Sequence, residues 1–482
     1  MSKFNTTNTM KTTNREGHVA YKMEDKLKLV TMVLTTMIGE PKFYGDTDNE
    51  MIRLAKTVEG EFLAKLAIYA RTRFNLRSVS HVLATIVANR EDTKPYIGSV
   101  IGQIVLRADD ITEIMACQLN MYGKPIPNGL KKALAKKMNT LSEYQLAKYN
   151  GGNKTVKFKD ILRITHVKPI SKEQEELFGK ILNDTLEIPY TWEVELSKRG
   201  NTKEVWEELI DSGKLGYMAM LRNLRNIINA RVDNIDKVYA KLSNKEEVLR
   251  SKQLPFRFFS AYKELDSAEV NATSKTFDTL EIAIRHSVEN MPKLKGKTLI
   301  AIDTSGSMDN TISRKSSVKC QDIARLIGSL ANYICEESEV VTFDMDLKSV
   351  ALSTVGGVIQ NALSIPVCGG GTNITLPVKY AIKEHKKFDR MIMISDNEIN
   401  CYWDYKCWGN EKTAQSYVDE YRRTINPDFW VHAIDLQGYG TQQFIGDKTN
   451  IIAGWSERVL EFVDMAEKGL GNIVSTIENI SL

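Results

Sequence analysis

Asp303-Thr-Ser305-Gly-Ser307-Met308 directly follows the short apolar run Thr298-Leu-Ile-Ala-Ile302. A run of that length, bounded by polar residues, predicts a buried strand. One carboxylate and two hydroxyls then alternate along the turn that leaves it. Such oxygens are what a hard divalent cation, Mg2+ above all, accepts. Open α/β sheets place their ligands in the crevice beyond the carboxyl ends of parallel strands. The stretch therefore predicts a doubly wound α/β domain with a cation site at its sheet edge.

Downstream the texture agrees. Strands are expected at 339–343, at 390–394, whose run is fully apolar, and at 429–434. Helices are expected at 317–335, 375–385, 413–424 and 456–467, and strand–helix alternation of this kind reads as a parallel sheet. Two further oxygen sets fall at loops of this domain: Thr372, after Cys368-Gly-Gly-Gly, and Asp396, directly after the strand ending Ile394-Ser. The glycines let backbone approach an ion closely. Asp303, Ser305, Ser307, Thr372 and Asp396 together leave at least one coordination position open, which an acidic group from a partner can fill. The competing reading is that Asp, Ser and Thr after a strand are ordinary helix caps. A serine-nucleophile reading finds no Gly-x-Ser-x-Gly elbow. Metal-activated hydrolysis finds no candidate base.

Upstream the chain is different. Residues 1–20 are polar, rich in Thr, Asn and Lys, and are expected to form a mobile tail. From 21 to 292 the apolar residues recur at helical spacing, as in Phe62, Leu63, Leu66, Ala67 and Ala70. Breaks carrying Gly, Pro or Asn, such as Gly123-Lys-Pro125-Ile-Pro127, separate the segments. Short helix pairs in such a run predict an α-solenoid. Pro292-Lys-Leu-Lys-Gly296-Lys reads as a basic linker into the domain spanning 293–482.

Length and composition set the frame. The 482 residues, 42% hydrophobic and 26% charged, describe an ordinary globular chain of about two to four domains. Six cysteines without a Cys-x-x-Cys, and no signal-like apolar start, predict a reduced, cytoplasmic protein. No apolar run reaches the ~18 residues of a membrane span. The net charge of +4 divides into +8 for residues 1–292 and −4 for 293–482, and residues 117–172 hold 12 basic side chains against 2 acidic. Charge so concentrated points to a polyanionic partner.

Asp-x-Ser-x-Ser, a Gly-Gly-Thr loop and Ile-Ser-Asp after an apolar strand resemble the metal-ion-dependent adhesion site of von Willebrand factor A domains. A second resemblance covers the helical part. Leu66-Ala-Ile-Tyr-Ala-Arg71, Arg77-Ser-Val-Ser-His81, Phe158-Lys-Asp-Ile-Leu-Arg163-Ile-Thr-His166-Val-Lys168-Pro169, Gly216-Tyr-Met-Ala-Met-Leu-Arg222-Asn-Leu-Arg225 and Leu254-Pro-Phe-Arg257-Phe-Phe-Ser-Ala-Tyr262 are similar to the TROVE module. TROVE followed by an A domain is the arrangement of the Ro autoantigen family. That resemblance implies a non-enzymatic protein with a HEAT-like helical ring made by one chain. It implies binding of small structured Y-like RNA and of single-stranded ends of misfolded RNA, as an RNA chaperone or quality-control scaffold. It also implies a protein partner contributing an acidic residue at the metal. Lys159, Arg163, His166 and Lys168 match the family's RNA-contacting helix and turn. Arg222 and Arg225 lie in another matching motif, and packing between repeats is an equal reading for them.

The residues support RNA on their own terms. Lys159, Arg163 and His166 fall at i, i+4 and i+7. Lys131, Lys132, Lys136 and Lys137 precede them, and such a face can displace counterions from a phosphate backbone. The bland reading of a lysine run is a solvated helix face. Tyr217, Phe256, Phe258 and Tyr262 read as core rather than as base-stacking platforms. The aromatic run Cys401–Trp408 reads either as a cap on the sheet edge or as a partner surface. The rival function is a protein-assembly adaptor acting through the metal site.

Overall fold

The computed structural model describes all residues except 1–10, 36–45, 151–153, 268–269, 290, 312–317, 354–356, 368, 400–412 and 455–456. It is a helical-repeat chain joined to a doubly wound α/β domain. Nine strands are described: β1 (Lys11–Thr13), β2 (Val19–Lys22), β3 (Leu294–Asp303), β4 (Cys335–Phe343), β5 (Leu347–Val350), β6 (Arg390–Ser395), β7 (Trp430–Asp435), β8 (Thr441–Gln442) and β9 (Thr449–Ala453). No helix among the described residues is long and apolar enough to cross a membrane.

Six strands form one sheet in the order β5-β4-β3-β6-β7-β9, parallel throughout except for β4 with β5. The apolar runs explain the burial. Leu299 to Ile302, Val341, Phe343 and Met391 to Ile394 are all buried, because a parallel sheet is covered on both faces. The chain lays β4 and β5 on one side of β3 and then returns to the other side for β6. The strand order therefore reverses between β3 and β6, which opens a crevice at their carboxyl ends. Asp303 ends β3 and Asp396 follows β6, so the topology alone brings the two carboxylates to one edge.

Three expectations are corrected. Residues 11–20 are not a mobile tail: β1 and β2 form an antiparallel hairpin whose second strand pairs with β8, Tyr21 opposite Gln442. Only Ala20, Tyr21 and Asn14 bury there, too few for a visible periodicity. The basic linker is part of a strand, since β3 begins at Leu294, itself buried, with a register shift before Lys297. β9 was not expected; its Thr449-Asn-Ile-Ile-Ala run closes the sheet beside β7.

The chain divides into two compact units that cut across the sequence. One comprises Met1–Thr35 with Asn201–Ile473, the other Thr36–Gly200 with Val474–Leu482. In the first, the helix Asp25–Thr35 packs on β9, and helices such as Ile235–Ser243 and Pro255–Ser267 pack on Ser274–Val288. In the second, Gly60–Thr72 packs against the next helix, Ser78–Asn89, and Ile97–Ile104 against the next but one, Asn128–Met138. Tyr217, Phe256, Phe258 and Tyr262 are buried, as core aromatics should be.

Candidate metal site and basic faces

Three loops meet over the carboxyl ends of β3 and β6, and backbone hydrogen bonds lace them together. Gly306 N–H donates to the Gly370 carbonyl at 2.9 Å, Gly369 N–H to Thr304 at 2.9 Å, and Asn373 N–H to Asp344 at 2.8 Å. Gly369 adopts φ +72°, a left-handed conformation that a side chain would strain. The glycines thus bring Thr372 against the Asp303 turn.

Asp303, Ser305, Thr372 and Asp396 are all buried. Ser305 N–H donates to Asp303 Oδ1 at 2.8 Å, and Glu398 N–H to Asp396 Oδ1 at 3.3 Å. The Ser305 and Ser307 hydroxyls lie 3.2 Å apart. The second oxygens, Asp303 Oδ2 and Asp396 Oδ2, are buried without a hydrogen-bond partner. Burial, then the Asp396 charge, push the Asp303 carboxyl well above its ordinary range, and burial raises Asp396 too. A cavity of about 220 Å³ opens over them, lined in part by Ser307, Thr372, Asp396 and Glu398. Orphaned carboxylate oxygens beside hydroxyls fit a hard divalent cation. Uncompensated, two buried like charges are costly, and a cation between them would offset that cost.

Two acids here escaped the sequence reading. Asp435 ends β7, next to Ser395 of β6. Its Oδ1 accepts from Gln437 and Gly438 N–H, its Oδ2 is buried and unpaired, and burial pushes its carboxyl up to about 7. Glu398 is also buried and pushed up to about 7, by burial and then by Asp396. A signal for Asp435 existed: an acid ending an apolar strand, as with Asp303. Among the described residues no three His, Cys, Asp or Glu side chains gather as a metal cluster; the proposed donor set has two carboxylates and three hydroxyls. The aromatic run Cys401–Trp408 lies outside the described residues.

The basic candidates divide between the two units. In one, Lys131, Lys132, Lys136 and Lys137 lie on the helix Asn128–Met138, which packs against Phe158–Thr165 carrying Lys159 and Arg163. Lys132, Lys136, Arg163, His166 and Lys168 are exposed. Lys137 turns back, Nζ donating to the Val105 carbonyl at 3.3 Å, and Lys159 pairs with Asp184 at 2.8 Å. His166 does not extend the helical face: it caps the helix in a left-handed conformation, φ 51°. Lys131 instead lines a groove of about 1140 Å³ with Lys94 and Lys124. In the other unit Arg222 is exposed, and Arg225 is ion-paired with Glu264.

Arg71, Arg77 and His81, from two of the quoted motifs, have a structural task. All three converge on Asp110, the third residue of the helix Ala108–Met121. Leu106 and Arg107 N–H also donate to it, at 3.0 and 2.9 Å. Burial opposes its charge, but the His81 and Arg77 contacts outweigh that and hold the carboxyl far below the usual carboxylate range.

Comparison with known proteins adds sequence and fold relatives. A model of the TROVE domain matches residues 49–185 and 183–309, and one of the Ro60 vWA domain matches residues 297–428. Telomerase protein component 1 of Rattus norvegicus is 25% identical over 343 residues, covering 52% of this chain and 13% of that protein. RNA-binding protein RO60 of Caenorhabditis elegans is 28% identical over 263 residues, 50% of this chain and 38% of that protein. The chain thus matches well under half the length of these relatives. The crystal structure of the Deinococcus radiodurans RO (RSR) protein superposes with a TM-score of 0.64 at 13% identity, covering 92% of this chain and 100% of that one, a likeness of fold.

Proposed function

The chain belongs to the Ro family of TROVE-domain proteins, and from that premise we propose that it is a non-enzymatic RNA-binding protein of the Ro type. Its ligands are small structured, Y-like RNA and the single-stranded ends of misfolded RNA, and its role is that of an RNA chaperone or quality-control scaffold. The observation that carries this reading is the exposed cation set Lys132, Lys136, Arg163, His166 and Lys168 on and beside two packed helices. Exposed lysine, arginine and histidine suit contacts with phosphate and with RNA shape. A relative named as RNA-binding points the same way. The buried free thiols Cys117 and Cys320 fit a reducing, cytoplasmic setting.

The test is RNA copurification followed by binding at graded salt. Absorbance at 260 against 280 nm should reveal bound nucleic acid, and log affinity should fall linearly with log salt. A protein free of nucleic acid, with no affinity for structured or single-stranded RNA, overturns the reading in favour of the adaptor function.

In the α/β domain, Asp303, Ser305, Ser307, Thr372 and Asp396 would hold Mg2+, which supplies a bridging point for a partner's acidic group. Millimolar Mg2+ is expected to raise the thermal midpoint of the wild type, by the equivalent of about 2.7 kcal/mol at a hundredfold excess over Kd. Asp303→Asn should lose that response. In chelator, the same variant should melt no lower than the wild type, because it removes one of two facing buried charges. Calorimetric scans of both proteins, with and without Mg2+, measure this; equal shifts in the two would remove Asp303 from the site.

A further inference from the structure

The adhesion-type motif leaves one wall of the cavity over Asp396 to a distant part of the chain, the turn between β1 and β2. Asn14 builds that turn: its N–H donates to the His18 carbonyl at 2.8 Å, its carbonyl accepts from Gly17 N–H at 3.1 Å, and its Oδ1 accepts from His18 N–H at 2.8 Å. The turn is fastened to the loop that follows Asp396. Asn14 Nδ2 donates to the Ile399 carbonyl at 2.9 Å, and Arg15 N–H donates to Glu398 Oε2 at 3.0 Å. The pairing of β2 with β8 holds the hairpin from its other side. Arg15 is thereby set at the cavity with its side chain exposed. Its guanidinium lies over the Tyr439 ring, 5.2 Å from the centroid, and Tyr439 lines the same cavity. Among the described residues that line this cavity Arg15 is the one cation, facing the acids Glu16, Asp396 and Glu398.

We propose that Arg15 is a partner-recognition residue, its guanidinium donating to the carboxylate that a protein partner brings to the cation. The inference rests on the metal-site reading above and names this chain's own contribution to partner choice. The two charges of a divalent ion are matched by Asp303 and Asp396. A partner's acid therefore arrives at a site with no net positive charge left over, in a cavity that already holds other carboxylates. Arg15 supplies the missing charge, and a charge-assisted bond to a carboxylate is among the stronger hydrogen bonds. A guanidinium over an aromatic ring is held by its face, whereas the N–H fork that matches a carboxylate lies in its plane. The Tyr439 contact thus steadies the side chain and leaves its donors for a ligand. The hydrogen bonds that build and fasten the turn come from Asn14 and from backbone, so the hairpin does not need the Arg15 side chain to form. The partner's chemistry follows: an aspartate or glutamate side chain, held by the ion and by Arg15 together.

Arg15→Gln removes the charge and the fork and keeps the backbone N–H that holds Glu398. Mn2+ is first titrated calorimetrically into the full chain as wild type, Arg15→Gln, Arg15→Lys and Asp303→Asn. The peptide N-acetyl-Gly-Glu-Gly-amide, a probe with a single carboxylate, is then titrated against each protein by NMR, where bound Mn2+ broadens its resonances. The expected result is Mn2+ binding to wild type, undiminished in Arg15→Gln and absent in Asp303→Asn. The peptide should bind Arg15→Gln about fivefold or more weakly than wild type, the loss of one charged contact at a solvated rim. Arg15→Lys should fall between, since it keeps the charge without the fork. Equal peptide affinity in wild type and Arg15→Gln overturns the Arg15 assignment and leaves the metal site standing. Mn2+ binding to wild type with no broadening of the peptide overturns it as well. A wild type that binds no Mn2+, or an Asp303→Asn that binds it equally, overturns the metal site and the assignment with it.

Discussion

Asp110→Ala is expected to destabilise the helical unit that contains it by about 3–5 kcal/mol, the usual consequence of removing one partner from a buried ion cluster. Much of a domain's net stability is of that size. The side chain is fully buried, so no water replaces it. Its loss strands the buried Arg71 guanidinium and the Arg77 Nε, and it frees the Leu106 and Arg107 N–H groups that open the helix Ala108–Met121. Asp110→Asn should fare little better, because it keeps the shape and deletes the charge that the arginines face. The same cluster fixes the acid limit. The folded carboxyl titrates far below its unfolded value of about 3.9. Its contribution is therefore complete above about pH 4 and drains away as pH falls toward the folded value. Denaturant melts of wild type and Asp110→Asn between neutral pH and pH 3 measure this. A wild type that loses no more stability than the variant over that range would remove Asp110 from the account.

Reversing Lys159 and Arg163 together to Glu is expected to weaken RNA binding about a hundredfold near physiological salt. Each phosphate contact contributes roughly 0.7–0.9 to the slope of log affinity against log salt, and reversal replaces two attractions with two repulsions. Stability should barely change. Arg163 is exposed, and the Lys159–Asp184 pair lies at the surface, where such pairs contribute about 0–1 kcal/mol. The salt slope should also flatten by between one and two. Filter binding at several salt concentrations, beside a thermal melt, measures both. An unchanged affinity in a folded variant would move the RNA to another surface.

The cation loops could be read in the sequence because each is local: a strand end followed at once by its oxygens. Their union is topological, and the apolar runs on either side of residue 303 already implied a sheet whose edge gathers them. Asp435 carried the same strand-end signal without a motif around it and went unread. Glu398 stands two residues past Asp396 with no motif to mark it, and its cover by the β1–β2 turn, whose Arg15 N–H donates to it at 3.0 Å, depends on a hairpin whose two strands hold seven residues and whose partner strand lies hundreds of positions away. The lysines were legible as charge but not as contacts. Lys137 spends its ammonium on a carbonyl and Lys159 on a carboxylate, and composition cannot tell an engaged cation from a free one. Arg71, Arg77 and His81 look like recognition residues in sequence. They are core, because Asp110 pairs with them from about thirty to forty residues further on.

Neither compact unit is a continuous stretch of chain. The helical unit takes Thr36–Gly200 and is completed by Val474–Leu482, where Lys65 Nζ donates to the Glu478 carbonyl and Gln103 Nε2 to that of Ser481. A polypeptide leaves the ribosome at about 5–20 residues per second. The helices before residue 200 therefore exist for tens of seconds before the segment that finishes them is made, and the N-terminal hairpin waits longer still for β8. During synthesis this protein passes through a stage at which most of its helices are present and neither unit is finished. Its exposure to holdase chaperones, and its vulnerability to proteases, should be greatest then, and premature termination anywhere before residue 473 leaves both units incomplete together.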